Sequence, residues 1–297
     1  MPNFVAFQPF NTTKMEQTQI GWIGLGKMGI PMAGNLIKAG YPVSVYNRNQ
    51  AKADALLQEG AAWVDSPAEL IQKTAVVFLM VSDDVAVNEI FNAENGLLSN
   101  NLSGKIIVNM STVSPQISKE MAELCQQKGA SYLDAPVSGS VKQAQEGSLV
   151  IMVGGEEEPT EQVRPLFDVL GKMALRLGPT GAGNAAKLAI NSLLALYALG
   201  LAETVVFARN QGVQVADLLQ LLNNGALSNV FTKIKGDAIL QDNYEAAFAL
   251  KHIVKDLGLA KKEGLQSPLA QTAFATFEAA NNQLAEEDII AVIKTLD

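Results

Sequence analysis

Histidine and cysteine are almost missing from this chain of 297 residues, which has one of each, His252 and Cys125. A single cysteine closes no disulfide within the chain and suits a reducing compartment, so the cytoplasm is the expected location. No His/Cys/Asp cluster has the spacing of a metal site, and no metal is expected. Basic residues are outnumbered, 22 Lys and Arg against 30 Asp and Glu, for a formal charge of −8. That balance argues against a nucleic-acid partner. No unbroken apolar run is long enough for a membrane span either. The longest apolar stretch, 185–208, contains Lys187, Asn191, Ser192 and Glu203, and reads as a helix buried in protein. Residues 1–18 lack the basic start and apolar centre of a signal peptide, and read as an extension ahead of the first strand.

Glycine, by contrast, falls in a telling place. In "IGWIGLGKMGIPMAGNLIKAG", Ile20 to Gly40, a short apolar run is followed by Gly24-x-Gly26-x-x-Gly29 and then by a helical pattern. Strand, glycine turn and helix together form the fingerprint of a dinucleotide site. Gly24 permits the turn, Gly26 lets a pyrophosphate approach the backbone, and Gly29 lets the helix pack closely on the strand. Leu25, Lys27 and Met28 complete the expected phosphate loop.

The next strand, Val43 to Tyr46, ends in Asn47-Arg48, with no acid before Asp54. An NAD site places a carboxylate there for the ribose 2′-OH, whereas an NADP site places an arginine near the 2′-phosphate. A guanidinium pairs with that phosphate through two hydrogen bonds and a carboxylate repels it. The expected cofactor is NADPH; the alternative for Arg48 is a solvated loop side chain.

From Ile20 to about Gly178, β-rich runs such as "AVVFLMVS", "GKIIVNMS", "ASYLDAPVS", "SLVIMVGG" and "KMALRLG" alternate with helical ones. After "GPTGAG" only helical patterns follow. The expectation is an α/β fold, an N-terminal Rossmann-type doubly wound sheet over 19–180 and a C-terminal all-α domain over 181–297.

Three polar stretches stand out. "NMSTVSP", Asn109 to Pro115, closes a strand, the end at which open α/β sheets bind ligands. "DAPVSGS" offers Ser138, Gly139 and Ser140 in a turn whose hydroxyls and N–H groups can hold a carboxylate. Either could equally be a polar loop with capping serines. In "GNAAKLAINSL", Lys187 and Asn191 are four apart and share one face of an apolar helix. A buried lysine is costly unless paired or employed, and an ammonium near a carbonyl oxygen can donate the proton that accompanies hydride transfer. The alternative is a lysine that snorkels to water. His252 sits beside lysines and reads as a surface or supporting group.

"GLGKMGIPMAGNLIKAG", "DAPVSGSVKQAQEGSLVIMVGG", "GPTGAGNAAKLAIN" and "KDLGLA" together resemble the β-hydroxyacid dehydrogenases over nearly all of 20–296. Asn47-Arg48, "PVSGS", "FDVLGK" and "FALKH" look most like the NADPH-dependent glyoxylate/succinic semialdehyde reductase branch. The resemblance implies reduction of short oxo-carboxylates, with Lys187 as general acid and Asn191 as its neighbour. It implies Thr112, Ser138, Gly139 and Ser140 at the substrate carboxylate, with Phe248 and Asp256 also at the substrate. Val81, Ser82, Thr112 and Lys255 join the glycine loop, Asn47 and Arg48 at the cofactor. Ser140, where hydroxyisobutyrate dehydrogenases commonly have glycine, leaves the substrate open. The rivals are a hydroxyisobutyrate- or serine-type dehydrogenase, a non-catalytic NADP-binding protein, and an imine reductase, which should lack the lysine. The apolar helix from Ala185 suggests a homodimer or homotetramer, and the expected partner is a small carboxylate-bearing aldehyde or hydroxy acid.

Overall fold

A computed structural model describes residues 18–296. The expected N-terminal extension, apart from Thr18, lies outside the described residues. The chain forms two compact units: one runs to Ser111 and resumes over Ile117–Thr180, and the other joins Thr112–Gln116 to the residues from Gly181 onward.

In the first unit, β1 (Ile20–Ile23), β2 (Val43–Tyr46), β3 (Ala62–Trp63), β4 (Val76–Leu79), β5 (Ile106–Asn109) and β6 (Ser131–Asp134) lie in the order β3-β2-β1-β4-β5-β6. Each neighbouring pair is parallel. This is the doubly wound order, and it reverses between β1 and β4, where ligands bind beyond the strand ends. β1, β4 and β5 are buried along their whole length, as a sheet covered on both faces requires.

Past β6 the sheet departs from a purely parallel one. β8 (Leu149–Gly154) runs antiparallel to β6 and to the two-residue β7 (Val137–Ser138), and only β9 (Gly171–Gly178) returns parallel to β8. The link from β6 to β8 holds only β7 and a helix of 5 residues, Val141–Gln145. A parallel crossover needs a longer covering helix, so the chain turns back instead.

Aromatic packing fixes the core behind the glycine turn. Trp22 stacks on Phe78 with centroids 5.4 Å apart, and Phe78 meets Phe167 edge-on at 6.5 Å. The buried Trp22 Nε1 donates to the Gly24 carbonyl at 3.1 Å, so the core grips the turn directly.

The second unit is built from helices Ala182–Asn210, Val215–Asn224, Val230–Leu240, Leu250–Lys262 and Pro268–Leu284, closed by a 3-10 segment, Ile289–Thr295. Ala182–Asn210 is long and apolar enough to cross a membrane by length and composition, yet half of its most apolar window is buried inside the protein. Ala195, Ala198 and Ala202 on that helix share a core with Leu250, Ile253 and Phe277. A buried ion pair crosses the same core: Lys235 Nζ lies 2.7 Å from Asp288 Oδ1. Asp288 also accepts from the N–H groups of Ala247, Phe248 and Ile290 at 3.1, 3.2 and 3.1 Å. These donors offset the cost of burying its charge, and they fix where helix Leu250–Lys262 begins.

Candidate active site

The glycine turn has the shape that the sequence implied. Gly24 has φ +99°, and a Cβ there would lie 2.2 Å from the Met80 carbonyl oxygen. At Gly29 a Cβ would stand 2.0 Å from the Gly24 carbonyl oxygen. Both glycines are therefore demanded by the fold itself. Gly26 is different: a Cβ would meet nothing within 4 Å, and the residue is exposed. The fold leaves this side of the backbone open, as the approach of a pyrophosphate would require. Helix Gly29–Lys38 begins at Met28 with no side-chain cap. The Ile30 N–H is spent on the Gly26 carbonyl at 3.1 Å and Pro31 has none, so the Gly29 N–H is the helix's group for an anion. The residues present fit a dinucleotide. Lys27 is exposed and Leu25 is buried, so the loop shows one cation outward while anchoring itself inward.

Asn47, at the end of β2, is spent on this turn. Its Oδ1 accepts from the Leu25 N–H at 3.0 Å and its Nδ2 donates to the Asn49 carbonyl at 2.9 Å. Arg48 stays outside with its side chain 81% exposed, 3.7 Å from the likewise exposed Glu89 carboxylate. An exposed pair of that length is weak, so the guanidinium can turn to a phosphate.

Past the carboxyl end of β4, Val81 is half-buried and Ser82 exposed. The Ser138 turn follows β6. Ser138 itself pairs with Val150 in the sheet and is half-buried, while Gly139 takes φ +140°. Ser140 is already committed, because its N–H and hydroxyl both donate to Gln143 Oε1, at 2.8 and 2.6 Å. Ser140 stands at the N-cap of the short helix Val141–Gln145, so Ser138 and the Gly139 backbone are the other donors of the turn.

In the helical unit, Lys187 and Asn191 stand one turn apart, 8% and 2% exposed. Asn191 Nδ2 donates to Asp256 Oδ2 at 2.5 Å. Asp256 Oδ1 lies 3.2 Å from Lys255 Nζ, close enough to ion-pair but without hydrogen-bond geometry. Lys255 Nζ in turn donates to the Thr112 carbonyl at 2.5 Å. Burial pushes the Lys187 ammonium down to about 8; Asp256 pulls the other way and Lys255 adds a little to the fall. The result is a buried ammonium that holds its proton less tightly than an ordinary lysine. Lys255 is thus occupied in tying Thr112 and Asp256 together, a part its sequence position did not reveal.

His252 is exposed, and its ring centroid lies 5.9 Å from that of the half-buried Phe248. Desolvation by its neighbours, then Lys255 and Lys251, lower its pKa. One contributor escaped sequence reading: Asn184 Oδ1 accepts from the Val113 N–H at 3.0 Å and holds the Thr112 segment to the long helix. Its spacing of three from Lys187 was the available signal.

Residues 19–178 match the family model described as the NAD-binding domain of 6-phosphogluconate dehydrogenase. Residues 181–296 match the NAD-binding domain of NADP-dependent 3-hydroxyisobutyrate dehydrogenase. The chain is 36% identical over 283 residues to glyoxylate/succinic semialdehyde reductase 1 of Arabidopsis thaliana, covering 94% of this chain and 98% of that protein. It is also 36% identical over 284 residues to the 2-hydroxy-3-oxopropionate reductase of Escherichia coli K12, covering 94% and 97%. Among solved structures, a Mycobacterium tuberculosis 3-hydroxyisobutyrate dehydrogenase with L-serine superposes with a TM-score of 0.87 at 28% identity, over 94% of this chain and 99% of that one. A glycine turn shaped for a dinucleotide, a helical unit with a buried lysine, and relatives matched end to end lead to one assignment: the chain belongs to the β-hydroxyacid dehydrogenase family of NAD(P)-dependent oxidoreductases.

Proposed function

We propose that the chain reduces short oxo-carboxylates such as glyoxylate and succinic semialdehyde with NADPH, using Lys187 as the general acid. The observation that carries the reading is the burial of the Lys187 ammonium one helical turn from Asn191, which Asp256 holds. A non-catalytic dinucleotide binder has no use for so costly a group. When bound, the nicotinamide supplies the hydride. Lys187 delivers the proton to the carbonyl oxygen, and Asn191 and Asp256 hold the face of the helix on which it stands. The Ser138 hydroxyl and the Gly139 N–H are groups of a kind that can donate to a carboxylate.

Arg48 supports NADPH. A charge-assisted contact to the 2′-phosphate contributes about 1.5–3 kcal/mol, or about one to two decades in affinity. Initial rates with NADPH and NADH at low concentration, on glyoxylate and succinic semialdehyde against glycolaldehyde and butanal, test both halves of the proposal. The acids should exceed the neutral aldehydes by more than about tenfold in kcat/KM, because unpaired donors are penalised. Arg48→Glu should weaken NADPH and spare NADH. Equal use of the two dinucleotides, with faster oxidation of 3-hydroxyisobutyrate or serine, would replace this reading with the dehydrogenase one.

A homo-oligomer is part of the same reading. Ile190, Leu193 and Tyr197 lie on one face of the long helix, 47%, 52% and 47% exposed. Spacings of three and four make them one stripe, and an apolar stripe of this kind marks an interface. Light scattering should return a multiple of the 31.6 kDa chain mass; the monomer mass would reject it.

A further inference from the structure

Beneath the carboxyl ends of β4, β5 and β6 runs a line of buried polar groups that the proposed chemistry does not use. Tyr132 Oη, on β6, accepts from Asn109 Nδ2 at 3.0 Å. Asn109 Oδ1, at the end of β5, accepts from the Ser111 N–H at 3.0 Å. Ser111 Oγ then accepts from the Val81 N–H, just past β4, at 2.9 Å. Asn109 and Ser111 are wholly buried and Tyr132 is 5% exposed. The Ser111 N–H can only donate, so it fixes which way the Asn109 amide faces, and the amide nitrogen must then point at Tyr132.

The line ends at the glycine turn. Met80 precedes Val81, and its N–H donates to the Ile23 carbonyl at 2.9 Å. Its own carbonyl oxygen is the atom that a Cβ on Gly24 would strike at 2.2 Å. The backbone at 80–81 is therefore wedged between Gly24 on one side and Ser111 on the other. A chain segment buried in polar contacts on this scale needs every partner, since a half-satisfied network is worse than none.

We infer that Asn109 and Ser111 are positioning residues for the dinucleotide: with Tyr132 as anchor, they set the Met80–Ser82 segment at the height that the glycine turn requires. The inference rests on the dinucleotide reading of that turn. It also explains why the strand-end stretch "NMS" is polar although its first and last residues reach no solvent. Each bond removed lets residues 80–82 drift relative to Gly24 and Gly26 without touching the ligand directly.

The test is direct titration of the purified protein with NADPH, followed by nucleotide fluorescence, on wild type, Ser111→Ala and Tyr132→Phe. Thermal unfolding without ligand and kcat at saturating NADPH are recorded on the same samples. Ser111→Ala, which removes the acceptor of the Val81 N–H itself, should raise Kd by about five- to twentyfold, and Tyr132→Phe, which acts only through Asn109, by less. The loss should appear in Kd and KM, with kcat at saturation changing least. A folded Ser111→Ala and a folded Tyr132→Phe that both bind NADPH as wild type does would overturn the inference, whatever their melting temperatures. Wild type that binds neither NADPH nor NADH would instead remove the dinucleotide reading, and the inference with it.

Discussion

Lys187→Ala should lower turnover by about two to four decades and leave NADPH affinity within a few-fold. The ammonium is asked to act on a carbonyl oxygen, not on the dinucleotide. The sign of the pH dependence follows from the same group. Reduction needs the protonated lysine, and with Lys187 held at about 8, kcat should stay level below that pH and decline as pH rises through it. Oxidation of the hydroxy acid should show the mirror image, rising toward alkaline pH. Lys187→Met separates chemistry from folding. Its side chain fills much of the same volume and removes a charge that burial makes costly, so its melting temperature should hold or rise while turnover is lost. If the folded alanine variant turned over normally, His252 would be the next donor to examine. That residue has a lowered pKa, so a His252-driven reduction would already be failing below pH 7, and the pH profile distinguishes the two.

What could be read from the sequence divides by the range of the forces involved. The glycine turn, the arginine after β2 and the Lys187–Asn191 face are local patterns: each is written in residues a few positions apart, and the structure keeps those spacings. The doubly wound parallel sheet was also legible, because alternating strands and helices admit little else, although the two-residue β3 was too short to leave a strand pattern. The antiparallel β8 was not, since a buried apolar strand looks the same in either direction. Nor was the placing of Thr112–Gln116 with the helical residues, which depends on the Thr112 carbonyl meeting Lys255 and the Val113 N–H meeting Asn184. Those partners are 143 and 71 residues away. Ser140 is a matter of short range. It stood in a promising turn, but its hydroxyl is held by Gln143, three residues on, as the local pattern of Ser and Gln at that spacing already allowed.

Gly26→Ala should leave the ligand-free protein as stable as wild type and weaken NADPH by about one to two decades. The contrast with Gly29 makes this sharp. A methyl at Gly29 would stand 2.0 Å from the Gly24 carbonyl oxygen and 3.1 Å from Trp22 Nε1, so the turn must shift, at about 1–3 kcal/mol of stability by the usual cost of overpacking. Gly29→Ala should therefore lower the melting temperature and the affinity together. A methyl at Gly26 touches nothing in the protein, so the ligand-free chain has no reason to notice it. If a pyrophosphate lies against that α-carbon, the same overpacking falls on the complex alone, and 1.4 kcal/mol is about a factor of ten in Kd. Thermal unfolding and NADPH titration of both variants decide the matter. Wild-type affinity in Gly26→Ala would mean that the phosphates bind elsewhere on the turn, and that the openness of this glycine has no part in recognition.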